Sequence, residues 1–339
     1  MRIMVTGGTG YVGSHSVKAL MDHGHEVRLL VRSRKKIDAA LKPLGIGSVE
    51  SFEGDVLDEK SVRAAMEGCD AVLHAASVYS LDSRDSARML EVNARAADLV
   101  IASARRHRLD PIVYVSSFVA LLPPSGILTA QSPVGSPAGV YSRSKADAER
   151  AARKHAAEGA PIVTVYPGAV WGPHDPHLGD QLTRLINILH RRLPIIPAGG
   201  FPIVDVRDLA LVHAKVMEPG RGPRRYLAAG HFLQMRDAIR LISETTGRKI
   251  PAMVLPSSLL KPFGRLADAL QKLAPFRLPL EYEGIYIAAC NARCDDSETR
   301  SGLGLEWRDL RGTVTDSIRW LLEKGCISPR TAGRVATIA

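Results

Sequence analysis

The 339-residue chain contains no apolar run of the roughly 18 residues that a membrane-spanning helix requires, so no membrane span is expected. Its first residues, Arg2-Ile3-Met4-Val5, read at once as a strand. That leaves no room for a secretory signal peptide, and a cytoplasmic location is expected. Cysteine is scarce. Cys69, Cys290, Cys294 and Cys326 show no paired ligand spacing and no accompanying His or Cys cluster, so reduced thiols are expected rather than a disulfide framework or a metal centre. Aromatic residues make up only 5% of the chain and do not interleave with the basic ones. The net charge of +10 therefore reads as dispersed, solvated helix faces and not as a nucleic-acid platform. Internal repeats are absent too.

What is present is an alternation. Residues 2–5, 26–31, 48–53, 71–74, 111–116 and 161–166 read as strands, and stretches near 58–67, 84–107 and 141–157 as helices. Strands alternating with helices imply right-handed crossovers and a doubly wound parallel α/β sheet. Continuous apolar runs such as Ile112-Val113-Tyr114-Val115 suit strands covered on both faces. The first strand leads into Thr6-Gly7-Gly8-Thr9-Gly10-Tyr11-Val12-Gly13. Glycines 7, 10 and 13 thus fall in a strand-to-helix turn, where a dinucleotide pyrophosphate can rest on a helix N-terminus. The spacing is G-x-x-G-x-x-G.

The rhythm breaks over 118–140, where Pro123-Pro124-Ser125-Gly126 and the 132–137 stretch forbid regular structure. A long loop there is expected to border a reaction site. After residue 167 the pattern becomes irregular, with a helix near 178–191. Val204-Asp205-Val206-Arg207-Asp208-Leu209 is expected to return to the sheet and begin another helix. Over 255–276, Leu259, Leu260, Phe263, Leu266, Leu270 and Leu273 recur at helical spacing. A core-facing helix ranks first for that stretch, a lid over an apolar substrate second and a membrane-surface helix last. The expected organisation is a nucleotide-binding domain over 1–170 with 203–218 returning to it, a smaller, mainly helical and discontinuous substrate lobe over 171–325, and a flexible tail over 326–339.

Three groups of residues carry chemistry. Tyr141 and Lys145 stand four apart, on one face of a helix that starts there; the ammonium is expected to favour the phenolate and make the tyrosine a usable proton donor or acceptor. Ser116 and Ser117 end the fifth strand, where ligands of open α/β sheets bind, and a hydroxyl there can polarise a carbonyl. Arg32 stands 19 positions after Gly13, where an NAD-binding chain needs an acid, and no acid occurs between Val27 and Ile37. A guanidinium there suits a 2′-phosphate, so NADP (NADPH) is favoured over NAD.

In order along residues 1–325, TGGTGYVG, Gly54-Asp55-Val56, His74-Ala75-Ala76-Ser77, Val115-Ser116-Ser117, Tyr141 with Lys145, Tyr166-Pro167-Gly168 and the 204–208 segment resemble an extended short-chain dehydrogenase/reductase. Within that family the chain is most similar to reductases of the dihydroflavonol and cinnamoyl-CoA type and to 3β-hydroxysteroid dehydrogenases. The resemblance implies that Tyr141 is the general acid, that Lys145 binds the nicotinamide ribose, and that Ser117, with Ser116 as fallback, holds the carbonyl. It further implies that Thr6, Gly7, Gly10, Tyr11, Val12, Gly13, Arg32, Asp55, Val56, Ala75, Ala76, Ser116, Pro167, Gly168 and Val170 border the cofactor, and that a homodimer forms through the helices at 84–107 and 141–157. Two points depart or stay open. Tyr166 stands where the family often has Arg, and Asn93 is read first as structural and second as catalytic. Family dehydratases carry an Asp-Glu pair after the strand-5 hydroxyl, whereas Phe118-Val119-Ala120 follow here, which speaks against dehydration. The expected activity is NADP-dependent hydride transfer to a carbonyl, or from a secondary alcohol, of a small apolar or aromatic molecule. A nucleotide-sugar epimerase with tightly bound NAD is the alternative, and a non-catalytic NADP sensor the third reading.

Overall fold

The computed structural model describes residues 1–271 and 281–337. In its first half, strands and helices alternate: β1 (Arg2–Thr6), α1 (Tyr11–Asp22), β2 (Glu26–Val31), α2 (Ile37–Leu41), β3 (Glu50–Glu53), α3 (Glu59–Met66), β4 (Ala71–His74), α4 (Ser86–Arg106), β5 (Ile112–Val115), α5 (Val140–Ala157) and β6 (Ile162–Pro167). Then follow β7 (Ala169–Trp171), α6 (Asp180–Leu189), β8 (Ile195–Pro197), β9 (Gly200–Asp205), α7 (Val206–Lys215), β10 (Arg224–Ala228), β11 (His231–Gln234), α8 (Met235–Thr246) and β12 (Met253–Leu255). The chain closes with α9 (Ser257–Gln271), α10 (Tyr282–Cys290), α11 (Ser297–Leu303), α12 (Leu310–Glu323) and α13 (Pro329–Ala332).

The main sheet has seven parallel strands in the order β3-β2-β1-β4-β5-β6-β10. Winding reverses between β1 and β4, which opens a crevice beyond their carboxyl ends. All four side chains of β5 are buried, each contributing on the order of 1.5–3 kcal/mol. Alanines let α4 and α5 lie close on one face: Ala97, Ala104, Ala148 and Ala152 share a buried cluster with Val100 and Ile101. This packing fixes the pitch of α5, which presents Tyr141 to the crevice.

Elsewhere the structure corrects the sequence reading. Residues 203–218 divide: β9 joins a separate three-stranded sheet with β7 and β11, while α7 packs against α1, where Ser16 Oγ and His213 Nδ1 lie 2.8 Å apart. The seventh main strand is β10, which the pattern did not reveal. Residues 326–337 are no loose tail: Ile327, Ala332 and Val335 are buried in the same core as α8 and α12. On α9 only Leu260 of the leucine series is buried; Leu259, Phe263, Leu266 and Leu270 are exposed, so the core-facing reading fails. Leu273 lies outside the described residues. Among the described residues no helix is long and apolar enough to cross a membrane.

Candidate active site

A cavity of about 390 Å³ opens at the switch point. Its nucleotide end is backbone. Gly7 has φ +74°, and a Cβ there would fall 2.6 Å from the amide nitrogen of Ala76. A Cβ on Gly13 would fall 2.1 Å from the carbonyl oxygen of Gly7. Glycine at both positions therefore lets α1 start hard against β1 and β4. Gly10 precedes α1 and offers no side-chain cap, so the first turn presents its N–H groups to the crevice as an anion site. This is the cradle that a dinucleotide pyrophosphate fits. Thr6 sits behind it: its buried hydroxyl lies 2.7 Å from His74 Nδ1 and accepts from the Ala76 N–H at 3.2 Å.

The expected residues divide between wall and support. Gly7, Gly10, Tyr11, Val12, Gly13, Ala75, Ser116, Ser117, Tyr141, Lys145, Pro167, Gly168 and Val170 line this cavity together. Thr6 and Ala76 brace the cradle from behind and are not on its wall. Asp55 closes a turn by accepting from the Leu57 N–H at 2.9 Å, and Val56 packs on the buried face of the sheet; neither lines the cavity. Arg32 is exposed, one residue past β2, and is also off the cavity wall. Arg34 beside it donates to the Ser51 carbonyl at 3.3 Å.

At the other end stand the reactive side chains. The Tyr141 phenol is pushed well above its ordinary range by burial, with a hydrogen bond to Ser117 acting the other way. Lys145, 6% exposed, is lowered to about 8 by burial, opposed by Glu149. Burial thus dominates both groups, and the expected lowering of Tyr141 by its neighbouring ammonium is not what the site shows. Ser117 also accepts from the Val119 N–H at 3.4 Å, so its hydroxyl both caps a turn and faces the phenol. Asn93 is a brace: its amide bonds Ser144 Oγ and the Val78 backbone, tying the strand-4 loop to α5.

Tyr166 explains its own departure from the family pattern. Its hydroxyl donates to Glu149 at 2.5 Å and accepts from Arg153 at 3.0 Å, so α5 supplies the guanidinium next to β6.

Several lining residues come from the stretches 79–86 and 171–200, to which the sequence assigns substrate recognition without singling out a residue, and others from β9 and α10. Tyr79 packs edge-on against Tyr141 with ring centroids 4.8 Å apart, and Gln181 donates to the Tyr79 hydroxyl at 3.3 Å. Asp180 and Arg184 from α6, Phe201 from β9, Gly284 and Ile287 from α10, and Asp175 and His177 from the loop before α6 also stand on the wall. Of the 118–140 loop only Phe118 and Val119 reach it; Leu121, Leu122, Leu128 and Ala130 are buried in the lobe core. No described residue of α9 lines it.

A parallel doubly wound sheet with a glycine cradle, a strand-end serine and a Tyr–Lys pair defines an extended short-chain dehydrogenase/reductase. Residues 3–229 match the model of the NAD dependent epimerase/dehydratase family, and the chain belongs to that family. It is 30% identical over 96% of its length to all of "Sterol demethylase protein B" of Methylococcus capsulatus. It is also 30% identical over 95% of its length to 95% of a "Putative dihydroflavonol 4-reductase" of Synechocystis. Among solved structures, that of gox2253 superposes with a TM-score of 0.80 at 28% identity, covering 96% of this chain and 99% of that one. A UDP-glucose-4-epimerase of Stenotrophomonas maltophila, with NAD bound, shares the fold at a TM-score of 0.75 and 19% identity, covering 97% of this chain and all of that one.

Proposed function

We propose that the protein is an NADP(H)-dependent oxidoreductase acting on the carbonyl or secondary alcohol of a small apolar or aromatic molecule. The observation that carries this is convergence: Gly7, Gly10, Gly13, Ser117, Tyr141 and Lys145 face one cavity whose lining also includes Tyr79, Phe118, Val119, Phe201 and Ile287. The first turn of α1 would hold the pyrophosphate and Lys145 the nicotinamide ribose. Arg32 and the basic run 34–36, exposed beyond β2, favour a 2′-phosphate. When bound, the nicotinamide supplies or accepts the hydride. Ser117 donates a hydrogen bond to the carbonyl oxygen and stabilises its developing negative charge. Tyr141 delivers the proton, and its phenol is protonated at neutral pH. The edge-on Tyr79 ring holds the phenol in place and closes the cavity over an apolar substrate. Relatives carry the names of a putative dihydroflavonol 4-reductase and of ketoreductases, which supports reduction over epimerisation.

The direct test is Tyr141→Phe, assayed on a carbonyl that the wild type reduces. A loss of roughly 10²–10⁴-fold in kcat with NADPH binding retained is expected; near-normal turnover would overturn the proposal. Calorimetric titration should show tighter binding of NADPH than of NADH, whereas tight co-purified NAD and affinity for a uridine nucleotide would favour the epimerase reading.

A further inference from the structure

α5 begins at Val140 after Gly139, which has no side chain to cap the helix. The cap comes instead from Glu283, on α10 of the helical lobe. Its carboxylate accepts from the Tyr141 N–H at 3.2 Å, the Ser142 N–H at 3.0 Å and Ser142 Oγ at 2.5 Å. Glu283 is only 6% exposed. A Cβ on Gly139 would fall 2.2 Å from Glu283 Oε2, so glycine at that position is what lets the carboxylate in.

We propose that Glu283 is a positioning residue of the reaction: a carboxylate of the substrate lobe that grips the backbone of Tyr141 and so fixes where its phenol stands in the cavity. This rests on Tyr141 being the proton donor. An acid is favoured at a helix N-terminus, but a cap that only stabilised the helix could come from a local Ser or Asp. Here it comes from an element whose Gly284 and Ile287 line the cavity. The helix that meets substrate therefore also holds the helix that protonates it.

The same carboxylate acts on the phenol through space. Its negative charge adds to the burial that disfavours the phenolate. The groups facing Glu283 are Tyr141 and Ser142 from α5, Asp268 from α9, and Tyr286 and Cys290 on its own helix. Glu283 is itself raised by burial, against which the bonds from Ser142 and Tyr141 work.

The experiment compares Glu283→Ala and Glu283→Gln with wild type and Tyr141→Phe. Glu283→Ala should lower kcat by roughly tenfold or more, with the affinity for NADPH within about twofold of wild type. Glu283→Gln keeps an acceptor for one of the two α5 amides and turns its NH2 toward the other, so it should recover part of that kcat. In the alcohol-oxidising direction, where the phenolate is needed, the rising limb of its pH profile should move to lower pH by about half to one unit, because a neighbouring negative charge is gone. In the Tyr141→Phe background, Glu283→Ala should add little further loss. Unchanged kcat in Glu283→Ala, or a Glu283→Gln pH profile superimposable on wild type, would overturn the proposal. If Glu283→Ala fails to fold, the Glu283→Gln profile alone decides. Failure of the oxidoreductase reading is separate: it shows as an active Tyr141→Phe enzyme, whatever Glu283 does.

Discussion

The two ends of the crevice are built by opposite means. The nucleotide end is seven consecutive residues, Gly7 to Gly13, and its shape is backbone: one positive φ and two places where a single methyl group would collide with a neighbouring peptide. The reaction end draws Tyr79, Ser117, Tyr141, Gln181, Phe201 and Ile287 from six separate segments, and its shape is side chain. The lesson is about what each end must recognise. A pyrophosphate is invariant and is met by N–H groups that need no particular side chain; a substrate varies and is met by residues that can change without disturbing the fold.

The sharpest way to break that contrast is Gly13→Ala. The added methyl has to displace the Gly7 carbonyl, so NADPH binding should fall more than about 100-fold and stability by several kcal/mol. Gly47→Ala, with nothing within 4 Å of the added Cβ, is the control and should leave both unchanged. Calorimetry and thermal unfolding measure this pair; equal behaviour would show that the cradle tolerates a side chain after all.

At the reaction end the expected signs of stability and activity diverge. Lys145 lies at about 8 in the folded protein against 10.5 ordinarily, so between those values the unfolded chain binds the extra proton. The residue therefore costs stability below about pH 8, and the cost fades as pH rises towards 10.5. Lys145→Met should stabilise the protein at pH 7 by on the order of 2 kcal/mol, give no gain near pH 10.5, and lose most turnover. Denaturant unfolding at the two pH values, beside kcat, checks it; a destabilised variant at pH 7 would contradict it.

The outer rim tests how far side chains matter on the nucleotide side. Arg32→Ser should weaken NADPH roughly tenfold and leave NADH nearly unchanged; equal loss for both would remove Arg32 from cofactor choice. The smallest effect is expected on α9. Leu266 is 57% exposed, so Leu266→Ser should shift stability by less than about 0.5 kcal/mol and leave turnover unchanged. A core-facing helix would lose several times that.

Much of the first half was legible because its signals are local. Strands β1 to β6 lie within two or three residues of where apolar runs placed them, and the helices between follow their periodicity. The glycines and the Tyr141–Lys145 pair fell on the cavity wall as their spacing implied. Legibility ended where burial depends on a distant partner. The leucines of α9 have the period of a core helix, yet nothing in a period says whether a second surface arrives to cover it. The chain end, 326–339, reads as a flexible tail, but Ile327, Ala332 and Val335 find an apolar core. Asp205 and Asp208 read as motif residues bordering a strand and a helix. In three dimensions they hold Arg207 and Thr313, and Arg308, locking α7 to the α12 region.

The amino-acid sequence by itself determined the doubly wound sheet, the glycine turn and which residues carry reactive groups, because period, backbone freedom and side-chain chemistry are properties of short stretches. The tertiary structure alone decided the rest: the proton affinities of Tyr141 and Lys145, the wall opposite them, and the grip of Glu283 on α5. These depend on burial and on approach across more than a hundred residues, and neither is written in any local pattern.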